Sequence, residues 1–200
     1  MMNNQEKKQF FIGLYKRLKA LESENFLEYP WFLYNYAKIS NRVLELGAGC
    51  GHSTIALLFG LEENNGHLWS VEFNKENVDI CTSLVNEVKL SHLWTLIAID
   101  DTKLRCELSE LDLIFIDTSH QYHHTLYELE YYHQFLKDTG TILCHDVLMP
   151  EAGVNNAILS FCFRYPEWKY RIYDSVPFGM GEISRGILLS IYINKIPFGS

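Results

Sequence analysis

Five short apolar runs stand along the middle of the chain: RVLELG, HLWSVEF, LWTLIAID, LDLIFID and GTILCHD. Segments of helical pattern, His52 to Glu62, Lys75 to Lys89 and Tyr122 to Leu136, lie between most of them. No other feature limits the fold as much. A helix that separates two strands running in the same direction must cross over the sheet, so this alternation predicts a parallel sheet covered on both faces. The tail breaks the rhythm. Val154 to Phe163 reads as one more helix, and WKYRIYDS and ISRGILLSIYI read as two strands joined through VPFGMGE, a hairpin that adds antiparallel strands at the sheet edge. The expectation is an α/β chain with a doubly wound, mostly parallel seven-stranded sheet and an antiparallel C-terminal hairpin.

The 200 residues suffice for one such domain with a full core and are too few for two. Residues 1–200 are therefore read as a single domain, with residues 1–40 an N-terminal helical extension. Within it Phe10, Ile12, Leu14, Leu18 and Leu21 recur near helical spacing from Gln5 to about Ser23, with Lys7, Lys8, Lys16, Arg17 and Lys19 largely between them. The basic face is read as solvated surface. FLEYPWFLYNYAKI follows, dense in aromatics around Pro30, a short helix whose rings serve as core, wall a pocket or meet a second copy of the chain in a homo-oligomer. The formal net charge is −8 and no run of Lys or Arg exceeds a pair, which argues against a nucleic-acid partner. No apolar stretch reaches the roughly 18 residues of a membrane span, and the polar N-terminus has no signal-peptide pattern, so no membrane partner is expected. Cys50, Cys81, Cys106, Cys144 and Cys162 are never spaced as CxxC, the usage of reduced packing residues in a cytoplasmic protein.

At the end of the first run, VLELGAGCGHST puts Gly47, Gly49 and Gly51 within five positions. Such glycines permit a tight turn and close approach of backbone to a ligand, while the following helix offers free N–H groups around Ser53 and Thr54. In an open α/β sheet, ligands sit at that end of the strands. A dinucleotide fingerprint needs GxGxxG, but here the third glycine comes one place early; a phosphate-binding loop needs GK[ST], and GHS has no lysine. NAD, ATP and GTP are disfavoured. Glu72 ends the second run, on the order of 20 residues further on, where a carboxylate accepts both ribose hydroxyls of a nucleoside. Glu45, beside the turn, repels pyrophosphate and suits a cationic ligand.

The order E-x-G-x-G-x-G, an acid ending the second strand and an Asp ending the third, resembles the class I S-adenosylmethionine-dependent methyltransferases from about Arg42 to Val147. The resemblance implies a Rossmann-like methyltransferase fold. It places Gly47, Gly49 and Gly51 against the methionine part of the cofactor, with Ser53 at the helix start in the same cofactor-binding set, Glu45 near the amino end, and Glu72 on the ribose. In IAIDDTK it places Asp101 at the adenine, with Asp100 as neighbour and Thr102 next; many members have Gly where this chain has Asp100.

The fourth run ends in IDTSHQYHH and the fifth in HD. Asp117 and Asp146 thus leave the carboxyl ends of neighbouring strands, with His145 beside the second acid and His120 a short turn beyond the first. The arrangement resembles the metal-dependent small-molecule O-methyltransferases, closest to the branch acting on sugar hydroxyls and antibiotic-type natural products. That branch's pattern of Asp, His, Tyr, a helix and a later His-Asp is met by Asp117, His120, Tyr122 and His145-Asp146. The resemblance implies methyl transfer to an oxygen of a small-molecule acceptor, a hydroxylated sugar, phenol or natural product. It further implies Asp117, His120 and His145 as catalytic residues, Asp117 also touching the cofactor, and Asp117, His145 and Asp146 around a divalent metal, Mg²⁺ or Mn²⁺. A cation on an alcohol or phenol oxygen lowers that oxygen's pKa. Two carboxylates suit Mg²⁺, and a histidine ligand leans toward Mn²⁺, Fe²⁺ or Zn²⁺. Alternatively His145 or His120 takes the hydroxyl proton as a general base without a metal. His123, His124 and His133 fall in a helical stretch and receive no role, Cys144 reads as core, and PFGMGE reads as the turn between edge strands or a lid over the acceptor. Two rivals stand beside this reading: an aminopropyl transferase on the same fold, and a noncatalytic cofactor-binding or scaffold protein.

Overall fold

The computed structural model describes residues 2–17, 27–105 and 107–185, with the backbone alone for residues 15–17. The first helix is α1 (Asn4–Arg17); its expected continuation to Ser23 lies outside the described residues, as do Cys106 and the expected last strand beyond Arg185. After it come α2 (Glu28–Lys38), β1 (Arg42–Leu46), α3 (His52–Leu61), β2 (His67–Val71), α4 (Lys75–Glu87), β3 (Trp94–Ile97), β4 (Leu111–Ile116), α5 (Tyr122–Tyr132), β5 (Leu136–His145), α6 (Val154–Arg164), β6 (Trp168–Tyr173) and β7 (Met180–Arg185). The strands form one seven-stranded sheet in the order β3-β2-β1-β4-β5-β7-β6. Strands β1 to β5 pair in parallel and β7 enters antiparallel between β5 and β6, which is the doubly wound sheet and hairpin that the pattern predicts. One boundary differs. Met180 pairs with His145 and Gly181 with Cys144, so the second half of PFGMGE is strand, drawn in by the free edge of β5, and only residues 174–179 make the turn.

Parallel strands buried on both faces divide their side chains between two cores. Val43, Leu113, Phe115 and Leu143 face the layer of α1 to α4. Leu44, Leu46, Ile114, Ile116 and Ile142 face α5 and α6. Strand parity then places the polar residues: Glu45 shares the face of Val43, toward α3, and His145 shares that of Leu143, toward α2.

Most of the aromatic stretch is core. Tyr29, Trp31, Phe32, Tyr34 and Tyr36 are buried, and Phe32 stacks on Tyr36 at 4.8 Å and meets Tyr173 of β6 edge-on at 4.9 Å. On the basic face of α1 one residue, Lys7, departs from a solvated surface, while the side chains of Lys16 and Arg17, and Lys19 entirely, lie outside the described residues. Lys7 is fully buried, its ammonium 2.8 Å from Glu63 Oε1 and over the rings of Tyr34 and Phe59. A lysine is buried only when paired, and here the partner arrives from just past α3. Among the described residues no helix is long and apolar enough to cross a membrane.

Candidate active site

The winding of the sheet reverses between β1 and β4, and the carboxyl ends of β1 to β4 open on a cavity of about 380 Å³, within the size range of small-molecule sites. Gly47, Gly49, Glu72, Ile99, Asp101, Asp117 and His124 are among its walls. Gly47 has φ +86, and a Cβ there would stand 2.1 Å from the Asp117 carbonyl oxygen. Lacking a side chain, the turn closes against the end of β4. Above Gly49 nothing lies within 4 Å of a notional Cβ, so the turn leaves open room there. Gly51 begins α3 in left-handed backbone and sits off the cavity wall. The Gly49 N–H donates to Glu72 Oε2 at 2.9 Å and the Asn74 N–H to Oε1 at 2.7 Å, which fixes that carboxylate at the cavity.

Glu45 lies beneath the turn instead of on the wall. Its Oε2 accepts from Thr54 Oγ1 at 2.8 Å and Ser70 Oγ at 2.5 Å, while Oε1 is buried without a hydrogen bond among the described residues. Burial pushes this carboxyl up to about 7 against the pull of the Ser53, Ser70 and Thr54 hydroxyls. Ser53 stands off the cavity wall, where its hydroxyl helps to hold the Glu45 pKa down. Thr102 is also turned inward: its N–H and hydroxyl both donate to Asp100 Oδ1, at 3.0 and 2.6 Å. Asp100 therefore caps the loop and Asp101 faces the cavity.

Asp117 belongs both to the cavity and to a cluster with His120, His145 and Asp146. His120 Nε2 lies 3.0 Å from Asp117 Oδ1 and 3.0 Å from Asp146 Oδ2. His145 Nδ1 lies 3.6 Å from Asp117 Oδ2 and 3.4 Å from Asp146 Oδ1, and its Nε2 is 2.9 Å from the Pro177 carbonyl oxygen. A carbonyl only accepts, so that nitrogen carries a hydrogen, and Nδ1 between two carboxylates carries another. Burial by itself lowers the His145 pKa, but the two acids raise it to about 10. Hydrogen bonds to the same acids raise His120 to about 9. Burial works to raise Asp117 and Asp146, and the two imidazoles overcome it and hold both below their ordinary values. His120 and Asp146 have left-handed backbones, φ 56 and 60, which non-glycine residues hold where the surroundings over-determine them. Here the Gly153 N–H grips the His120 carbonyl at 2.7 Å and the Met149 N–H grips that of Asp146 at 3.2 Å.

The metal set expected from the sequence joined the two acids to His145. The geometry groups them with His120 instead: ligand atoms of Asp117, His120 and Asp146 all lie within 4.8 Å of one another, while His145 is anchored to Pro177 and stands further from both acids. Tyr122 turns away, its hydroxyl on Ser160 of α6 at 3.0 Å. Two residues escaped the sequence reading. Tyr29 of α2 donates its phenol to Asp117 Oδ2 at 3.0 Å and lays its ring 4.5 Å from that of His145; the aromatic density around Pro30 was its signal. His124 places Nε2 2.9 Å from Asp101 Oδ2; the signal was its i,i+4 spacing from Glu128 on one helix face. His133 packs against Phe161, Tyr165 and Trp168. Cys144 is fully buried, and burial raises its thiol pKa well above the ordinary value.

A family model described as a methyltransferase domain matches residues 44–147. No curated protein sequence matches the chain. Among solved structures, the O-methyltransferase from Bacillus cereus in complex with SAH is 16% identical, with 89% of this chain and 90% of that chain covered and a TM-score of 0.72. A methyltransferase from Geobacter sulfurreducens is 12% identical, with 92% and 91% covered and a TM-score of 0.70. The O-methyltransferase TomG from Streptomyces achromogenes, in complex with SAM, is 16% identical, with 93% and 100% covered and a TM-score of 0.64. At these identities the likeness is one of fold.

Proposed function

Because the chain belongs to this methyltransferase-domain family, we propose that it transfers the methyl group of S-adenosylmethionine to a hydroxyl oxygen of a small-molecule acceptor: a hydroxylated sugar, a phenol or a related natural product. The observation that carries the reading is the double place of Asp117, which lines the cavity and also anchors the acid–imidazole cluster. The residues present suit the cofactor. Gly47 and Gly49 leave the turn bare, and Glu72, held by two amide N–H groups, keeps further lone pairs for ribose hydroxyls. Ile99 and Asp101 offer the adenine an apolar contact and an acceptor. The unpaired Oε1 of Glu45 beneath the turn supplies negative charge for a cationic amino end, with Ser53 and Thr54 supporting that carboxylate. Bound there, the cofactor supplies an electrophilic sulfonium methyl.

The chain's own residues orient the acceptor and take its proton. His120 is better placed than His145, because its side chain is 32% exposed against 12%; with its pKa raised to about 9 by the two acids it bridges, it takes the proton in its neutral form, so transfer through it rises as pH climbs toward 9. Asp117, His120 and Asp146 also fit a divalent cation, Mg²⁺ or Mn²⁺, which would polarise the acceptor hydroxyl as a Lewis acid and compete with the imidazole's proton. Tyr29 brings α2 onto this cluster, in keeping with a single domain. The unpaired Cys50, Cys81, Cys144 and Cys162 support a cytoplasmic setting. Calorimetric titration with S-adenosylmethionine, with and without Mn²⁺, followed by mass spectrometry of catechol and hydroxylated-sugar acceptors, tests the proposal. Saturable binding and a one-methyl mass gain support it. Absence of cofactor binding overturns it in favour of the scaffold or aminopropyl reading, and transfer that survives EDTA removes the metal and leaves His120 as the base.

A further inference from the structure

Asp101 belongs to a second acid–imidazole group, whose His124 and Glu128 the proposed function leaves without a role. His124, in the first turn of α5, places Nε2 2.9 Å from Asp101 Oδ2 and 3.6 Å from Glu128 Oε1. Glu128 is fully buried and accepts the Thr118 hydroxyl at 2.9 and 3.1 Å. The same helix pins the loop backbone: Tyr132 Oη donates to the Asp101 carbonyl at 2.7 Å and Tyr127 Oη to the Thr102 carbonyl at 3.2 Å. Asp101 is thus held through both backbone and side chain. It and His124 line the cavity next to Ile99 and Thr118.

A loop carboxylate without such a partner spreads over rotamers and must be ordered by its ligand. Here the imidazole occupies Oδ2, and Oδ1 makes no hydrogen bond among the described residues, so it is a fixed acceptor. With Nε2 committed to two acids, Nδ1 is the ring atom left to a ligand. The hydrogen bond to Asp101, chiefly, raises the imidazole's pKa to about 10, which makes Nδ1 a donor. Adenine presents a 6-amino donor flanked by ring-nitrogen acceptors, whereas a 6-oxo purine presents an acceptor in the amino group's place.

Resting on the cofactor reading above, we infer that His124 is a specificity-determining residue: the Asp101–His124 pair reads the 6-amino group of the cofactor's adenine and rejects a 6-oxo purine. Calorimetry with S-adenosylhomocysteine and with its inosine counterpart, S-inosylhomocysteine, tests this with no acceptor and no metal. The wild type binds the adenine compound more tightly by about tenfold or more, and His124→Gln brings that ratio close to unity. Tyr127→Phe, which loosens the loop and leaves the pair intact, weakens both ligands alike. A folded His124→Gln protein that keeps the wild-type ratio overturns the inference and leaves His124 a packing residue; His124→Asn provides the same reading should the Gln variant not fold. Binding without discrimination by the wild type overturns this inference alone, whereas no binding of either compound overturns the cofactor reading and this inference with it.

Discussion

Replacing Glu45 with Gln should alter how stability depends on pH. The carboxyl is fully buried, and burial raises its pKa from 4.5 to about 7 despite the hydroxyls of Ser53, Ser70 and Thr54. Between those values the unfolded chain has released the proton and the folded chain still holds it. The folded state binds more protons there, so stability falls as pH rises through the window. Below the lower value the contribution is fully present, and above about 7 it is gone. The interval corresponds to about 3 kcal/mol. Gln keeps the shape without the charge. In chemical denaturation, variant and wild type should lie close together at pH 5. At pH 8 the variant should be more stable by up to about 3 kcal/mol, less about 1 kcal/mol for each hydroxyl bond that the amide makes less well. Parallel stability curves for the two proteins from pH 5 to pH 8 would refute the reasoning. The same variant should bind S-adenosylmethionine more weakly, because the charge that destabilises the fold is the one proposed to act from beneath the turn on the cofactor's amino group, a stability cost retained for function.

Asp146→Asn removes one of the acids around His120, so Mn²⁺ affinity by calorimetry should fall about tenfold or more while S-adenosylhomocysteine affinity holds; equal affinity for Mn²⁺ would exclude Asp146 as a ligand. Gly47→Ala forces a Cβ to 2.1 Å from the Asp117 carbonyl oxygen in left-handed backbone, and denaturant unfolding should show a loss of more than about 2 kcal/mol. Lys7→Met keeps the buried stem and leaves Glu63 with the Tyr34 hydroxyl as its donor; urea unfolding should register a loss of about 1–3 kcal/mol. That difference should survive high salt, since the pair is partly shielded from solvent.

The parallel sheet was legible because its signals are local. Apolar runs of strand length, helical periodicity and three close glycines each declare themselves within a few residues. Glu72 and Asp101 were legible for a related reason: each follows a strand, and the topology of a wound sheet gathers strand ends at one opening. Lys7 was not, because its burial depends on Glu63, which packing brings to it from just past α3. The start of β7 was not either, because pairing with His145 and Cys144, and not the propensity of Met180 and Gly181, makes those residues strand.

The sequence by itself determined the order of strands and helices, the bare turn after β1 and the acids at the strand ends, since periodicity and chain order act over short distances. It could not choose between the histidines. His145 adjoins Asp146 and His120 follows Asp117 by three residues, so each has an acid close by in the chain, and only the folded backbone, left-handed at residues 120 and 146, sets His120 between both carboxylates, while the Pro177 carbonyl claims His145. Tyr29 on Asp117 and His124 on Asp101 were likewise decided by tertiary structure, because each contact joins elements that meet only when the helices have packed on the sheet.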